Sequence, residues 1–126
     1  MYASIRCTRI FLGKLPYLDY LRVLQTSSAH VYLTYPFVMS WSLPEAMAAG
    51  CPLIASDTSP VREVIRHGEH GWRVDFFDTD TLVKQRHTVL DTPDAQLPLR
   101  RQAREHVQTH YSQTQGRQAW LTLLND

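Results

Sequence analysis

Residues 29–56 read AHVYLTYPFVMSWSLPEAMAAGCPLIAS, and the order of residue types along this stretch decides the fold. Ala29 to Tyr35 is rich in β-branched and aromatic side chains, which suit a pleated, half-buried surface, and Pro36 stops the run. Leu43 to Ala49 reads as a helix, and Gly50 after it is a natural left-handed cap. Pro52 to Ser56 is short and almost wholly apolar, the pattern of a strand covered on both faces. Strand, helix and strand in this order describe the crossover that joins parallel neighbours in a sheet.

The same alternation continues outward in both directions. Arg9 to Leu12 is a short β-type run closed by Gly13. Tyr17, Leu18, Leu21, Val23 and Leu24 then recur at helical spacing, with Pro16 and Asp19 near the start. On the other side Pro60 opens a helix through Arg66, Gly68 follows it, and Trp72 to Phe76 is the next short strand. Residues 81–124 look helical, with a break at Asp91-Thr92-Pro93. Strands near 9–12, 29–35, 52–56 and 72–76 predict an α/β fold, a doubly wound parallel sheet with helices on both faces. Such sheets bind ligands beyond the carboxyl ends of their strands, so the loops after Leu12, Tyr35, Ser56 and Phe76 are the ones to read. The last segment, from Arg100, is richer in charged and polar residues and is expected to form an outer helical tail.

Composition narrows the function classes. The 126 residues suit one domain, and a hydrophobic fraction of 44% excludes the disordered classes. A net charge of +1 provides no footprint for nucleic acid or an anionic membrane. Cys7 and Cys51 follow no metal or redox spacing and read as reduced thiols, which points to a cytoplasmic protein. The N-terminus lacks a signal-peptide core, and no apolar run is long enough for a bilayer. His30, His67, His70, His87, His106 and His110 are scattered without ligand spacing, so no metal ion is expected.

The loop after Tyr35 carries the chemistry. It leads into a helix whose first turn lies near Ser42 to Glu45, where exposed backbone N–H groups and the positive end of the helix dipole converge. That combination binds phosphate without a glycine fingerprint, and the hydroxyls of Ser40 and Ser42 can donate to the same anion. Pro44 lacks an N–H at a position that has no intrahelical acceptor to lose. Glu45 can accept two hydrogen bonds from a vicinal diol such as ribose. It can equally complement the helix N-terminus, since Ser42 and Glu45 fit a capping box. Trp41 reads either as a ligand contact or as plain packing.

The stretch SLPEAMAAGCPLIASDTSPVREVIRHGEHGWRVDFFD resembles the signature of family-4 glycosyltransferases, the glycosyl transferases group 1. The marks are Glu45 through Pro52, then Ala55-Ser56-Asp57, Glu63-Val64-Ile65, Gly68 and Gly71. Phe11 through Pro16 and Ala29 through Leu33 are similar to the family's preceding strand, helix and strand, so the likeness spans roughly residues 9–110. The resemblance implies the C-terminal, nucleotide-sugar-binding half of a GT-B enzyme that retains anomeric configuration and needs no metal for the chemistry. The partner molecule would be a nucleotide-diphosphate sugar, a substrate and not a cofactor. Carried over by position, Glu45 would hold the donor ribose. Met39 and Ser40 would lie in the loop whose amides touch the donor sugar. Trp41 and Ser42 would provide the helix-start amides at the diphosphate. Ile10 would lie where a strand-end backbone meets the nucleobase.

Two departures stand beside the likeness. The family spacing places a first glutamate at position 37, where this chain has Phe37, which cannot accept bonds from sugar hydroxyls. A subgroup that positions the sugar differently, a different donor sugar and a degraded site all fit, and the context from Tyr35 to Ser42 resembles a variant subgroup. The arginine and lysine that neutralise the leaving diphosphate in relatives come from earlier strands, and Lys14, Arg62 and Arg73 do not match them. The acceptor side comes from an N-terminal domain. The expectation is a partial domain, inactive alone, that needs its other half or self-associates through an open sheet edge. The alternative is a non-catalytic α/β interaction module. The donor sugar, its base and the acceptor are not legible.

Overall fold

The computed structural model describes residues 9–35 and 38–125. Three strands, β1 (His30–Tyr32), β2 (Leu53–Ser56) and β3 (Trp72–Val74), form one sheet in the order β1-β2-β3 with both pairings parallel. Helix α1 (Tyr17–Thr26) precedes β1, α2 (Ser42–Ala49) joins β1 to β2, and α3 (Ser59–Val64) joins β2 to β3. Three helices follow: α4 (Thr79–Asp91), α5 (Pro93–His110) and α6 (Gln113–Asn125). Each strand is shorter than its apolar run because only the paired residues hold ladder geometry. The helical remainder breaks at Thr92, as the Asp91-Thr92-Pro93 sequence implies.

Arg9 to Leu12 is not a strand. Ile10, Phe11 and Leu12 are exposed in an irregular segment ahead of α1. A β-type run becomes a strand only when a neighbour takes its hydrogen bonds, and no described strand does so here. The parallel sheet therefore contains three of the four expected strands.

The sheet is covered on both faces, as a doubly wound arrangement requires. Both crossovers step the same way along the sheet, which lays α2 and α3 on one face. There Leu43, Ala46 and Met47 of α2 and Val61 and Val64 of α3 pack with Leu53 and Ala55, joined by Leu24 of α1 and by Ala103 and Val107 of α5. On the opposite face Ile54 and Val74 meet Val89 of α4. The alternation along Leu53-Ile54-Ala55 sends successive side chains to opposite faces. α5 is tied at its start by the Trp72 indole N–H, which donates to Gln96 Oε1 at 2.9 Å. α6 has no buried residue, and Trp120, Leu123 and Leu124 lie open on it.

Two glycines are fixed by geometry. Gly50 has φ +74° and ends α2, its N–H donating to Met47 O while Cys51 N–H reaches Ala46 O. Gly71 lies against β2 so closely that a Cβ would sit 2.9 Å from both the carbonyl oxygen and the Cβ of Leu53. Backbone cannot yield as a side chain can, so Gly71→Ala is expected to destabilise the domain by about 1–3 kcal/mol through overpacking. Urea unfolding of the variant checks this; an unchanged midpoint would show that the sheet opens there without strain.

The C-terminal end of α5 carries a histidine stack. The ring of His106 lies 4.3 Å from that of His70 and 4.4 Å from that of His110, centroid to centroid. Burial, then the neighbouring charges of His70 and His110, holds the His106 imidazole below its ordinary value, and burial does the same to His30. Both groups bind protons more weakly folded than unfolded. Their contribution to stability is therefore complete above the ordinary histidine pKa near 6.5 and is lost as pH falls through the lowered values. The melting temperature should fall between pH 7.5 and pH 5, and by less in His106→Gln. Equal falls in the two proteins would remove His106 from the account.

Candidate functional site

The site begins where the sheet holds the loop in place. Ser56, buried at the carboxyl end of β2, donates its hydroxyl to Thr34 O at 2.7 Å and accepts the Thr34 N–H at 2.9 Å. One side chain thus continues the pairing of β1 and β2 past Tyr32. The buried Tyr32 fixes the far side, its hydroxyl accepting the Ser40 N–H at 2.8 Å. Phe37, which stands at the family's first glutamate position, lies outside the described residues, as does Pro36.

The start of α2 differs from a capping box. Trp41 takes the N-cap position with helical angles, φ −56° and ψ −21°, and no side chain caps it. Ser42 is already inside the helix. Ser40 accepts the Ser42 N–H at 3.3 Å and the Ser42 hydroxyl at 3.1 Å, and Ser40 O accepts from Leu43 N–H at 3.2 Å. Leu43 and Pro44 are buried and hold the first turn against the core. Met39 packs partly on the same core, whereas Trp41 is 77% exposed, so its ring is not a packing element among the described residues.

Glu45 faces away from the cap. Tyr17 of α1 donates its hydroxyl to Glu45 Oε1 at 3.4 Å, and the two residues line a groove of about 230 Å³ together with Leu21, Gln25, Ala48 and Ala49. Glu45 leaves its mark on both tyrosines of α1. Its negative charge, with burial and the hydrogen bond, raises the Tyr17 phenol above its ordinary value. Burial, then the nearby Glu45 carboxylate, pushes Tyr20 up to about 12. Both phenols therefore stay protonated and can donate at neutral pH. In the sequence Tyr17 reads only as one member of a helical stripe, because nothing local names the carboxylate across the groove.

The structure brings Met39, Ser40, Trp41, Ser42 and Glu45 together at one helix start. Ile10 is not among the residues that line the Glu45 groove, and it is 74% exposed, because the strand that would have presented its backbone does not form. At the end of β2, Asp57 is gripped by two arginines. It accepts from Arg62 Nε at 2.8 Å and Arg73 Nη1 lies 3.2 Å away, and the Arg62 bond holds the Asp57 carboxyl below the usual range despite partial burial. Both arginines are thus committed to one carboxylate. Among the described residues no cluster of three His, Cys, Asp or Glu could hold a metal ion, and no helix is long and apolar enough to cross a membrane.

Comparison with solved structures finds the same architecture in much larger glycosyltransferases. HepE from Anabaena, solved in complex with UDP, superposes with a TM-score of 0.76 at 18% identity over 83% of this chain. Sucrose-phosphate synthase from Thermosynechococcus elongatus superposes at 0.74 with 26% identity over 92% of this chain. TarM superposes at 0.56 with 24% identity over 70% of this chain. These are GT-B enzymes, and the chain spans 29%, 30% and 18% of their respective lengths. No curated protein matches. The sequence model of glycosyl transferases group 1 matches residues 5–106, and with most of its length so matched, the chain belongs to that family.

Proposed function

We propose that this chain forms the donor-binding part of a retaining glycosyltransferase and holds a nucleotide-diphosphate sugar at the start of α2. The observation that carries the reading is the orientation of Glu45, which sits in the first turn yet lies against Tyr17 across an open groove and caps nothing. A carboxylate so placed accepts both hydroxyls of a ribose, with Tyr17 beside it to keep its direction. The amides at Trp41 and Ser42, the Ser40 and Ser42 hydroxyls and the positive end of α2 lie one turn away, where a diphosphate joined to that ribose would reach. HepE was solved with UDP, and a uridine or other nucleoside diphosphate fits this division of labour.

The chain is proposed to bind the donor without turning it over. Departure of a nucleoside diphosphate builds charge that fixed cations or preorganised donors must meet. The first turn of α2 carries none of the former, and Arg62 and Arg73 are held by Asp57. Acceptor binding and charge neutralisation are assigned to a second domain or to another copy. A cytoplasmic setting fits the free, buried Cys51, whose thiol burial pushes up to about 11 and so renders inert.

Loss of charge at Glu45 tests the donor site. Charge-assisted hydrogen bonds are typically worth about 1.5–3 kcal/mol each, so Glu45→Gln should raise the dissociation constant for UDP- or GDP-sugars by about tenfold or more. Melting temperature should move little, because only a dipole contribution of about 0.3–1 kcal/mol is lost. Titration calorimetry and thermal unfolding on the same variant decide. Unchanged affinity with lowered stability would leave Glu45 a structural carboxylate and favour the non-catalytic reading.

Association tests the division between domains. β1 has one edge unpaired among the described residues, Val31 and Leu33 are exposed on and beside it, and Ile10 and Phe11 are exposed ahead of α1. Open edges and apolar patches promote self-association. Light scattering on the isolated chain should show concentration-dependent oligomers; a monodisperse monomer at high concentration would argue that nothing needs to cover that edge.

A further inference from the structure

At the end of α2 opposite the donor loop lies a groove of about 270 Å³ lined by Ala49, Gly50, Leu97, Arg100, Arg101 and Arg104. Its formation follows from the faces of α5. Gln96, Ala103 and Val107 point into the core, while Leu97, Arg101 and Arg104 recur at i, i+4 and i+7 along the adjoining stripe. Arg100 stands on the border, half-buried, and its Nε donates to the carbonyl of Gly50. That bond satisfies an orphan carbonyl at the negative end of α2 and fixes the plane of the guanidinium. Its terminal Nη groups have no hydrogen-bond partner among the described residues.

Three guanidinium groups line this groove and no carboxylate does. Among the described residues the ion pairs of Asp19, Asp57 and Glu69 go to Arg22, Arg62, Arg73, Arg66 and His70, and none goes to Arg100, Arg101 or Arg104. Capping α2 needs one cation, and Arg100 supplies it. Arg101 and Arg104 are additional, in a chain whose net charge is only +1. Unpaired like charges at this spacing repel unless an anion sits among them.

We propose that this groove binds a phosphoryl group, separate from the donor site and about 12 Å from it along the eight-residue α2. Planar guanidinium forks match the oxygens of a phosphate in pairs, and one of the three is already held in orientation by Gly50. The groove is open enough to admit a phosphate or diphosphate, and Leu97 provides an apolar wall for whatever carries it. The shared chemistry is a phosphoryl dianion, whether free in solution or on a lipid headgroup.

The experiment follows the arginine Nε–Hε signals of the full chain by NMR while inorganic pyrophosphate is added, with sulfate and chloride as matched controls. The Arg100, Arg101 and Arg104 signals should shift with pyrophosphate and less with the controls. Arg101→Gln/Arg104→Gln should weaken the binding by about tenfold, and Arg101→Lys/Arg104→Lys, which keeps the charge without the fork, should recover only part of it. Ser40→Ala/Ser42→Ala should leave these signals responding, which separates this site from the donor reading. A second arm measures sedimentation with vesicles of phosphatidylcholine containing phosphatidic acid. Capture that is lost in the glutamine variant, with no pyrophosphate response, assigns the phosphoryl group to a lipid. Equal shifts with chloride and sulfate, full binding by the lysine variant, or no response in either arm would overturn the proposal.

Discussion

All four residues of β2 are buried, and a strand with no solvent on either face must find a protein partner for every backbone N–H and C=O. β1 and β3 supply those partners in parallel register, and parallel pairing in turn demands crossovers long enough to return the chain. Because both crossovers step in one direction, α2 and α3 fall on the same face and α4 is left to cover the other. The layered arrangement is a consequence of satisfying one short buried strand. Gly71 shows how little slack remains, since the chain entering β3 passes Leu53 without room for a methyl group.

The same constraint delivers the loop proposed to hold the donor. The segment between β1 and α2 leaves the carboxyl edge of the sheet, the side on which α/β sheets bind ligands, and the core holds both of its ends. Leu43, Ala46 and Met47 set the rotation of α2 about its axis, and that rotation decides that Glu45 looks toward α1. The carboxylate is therefore placed by apolar contacts on the opposite side of its helix. A side chain held in this way would lose little freedom on meeting a ligand, which is where preorganised sites gain affinity.

Much of this was readable from residue order. PLIAS announces a doubly covered strand by lacking polar positions, Gly50 announces the end of α2, and Thr92-Pro93 divides the last helices as written. The misreadings share one cause. Arg9 to Leu12 has strand composition, but a strand is a relation between two segments, and composition cannot report a missing neighbour. The capping-box spacing of Ser42 and Glu45 is present in the sequence, yet no box forms, because Trp41 takes the N-cap position and Ser40 accepts the Ser42 N–H. The pairing of Tyr17 with Glu45 is not legible locally because the two residues are 28 apart in the chain, beyond any local pattern. Residue order located the helix start near Ser42 to Glu45; which side of α2 the carboxylate takes is set by packing that no local pattern records.

The bond between the Tyr32 hydroxyl and the Ser40 N–H closes the loop between β1 and α2 like a clasp. With Ser56 gripping Thr34 at the near end, the chain between the two anchors has a set contour length. Inserting or deleting a residue there would force one anchor to let go or the helix start to rotate. Side chains in the loop, by contrast, can change freely while both anchors hold. Variation within such a framework is then restricted to exchanging residues at constant loop length, and redesign of this loop should proceed by substitution alone.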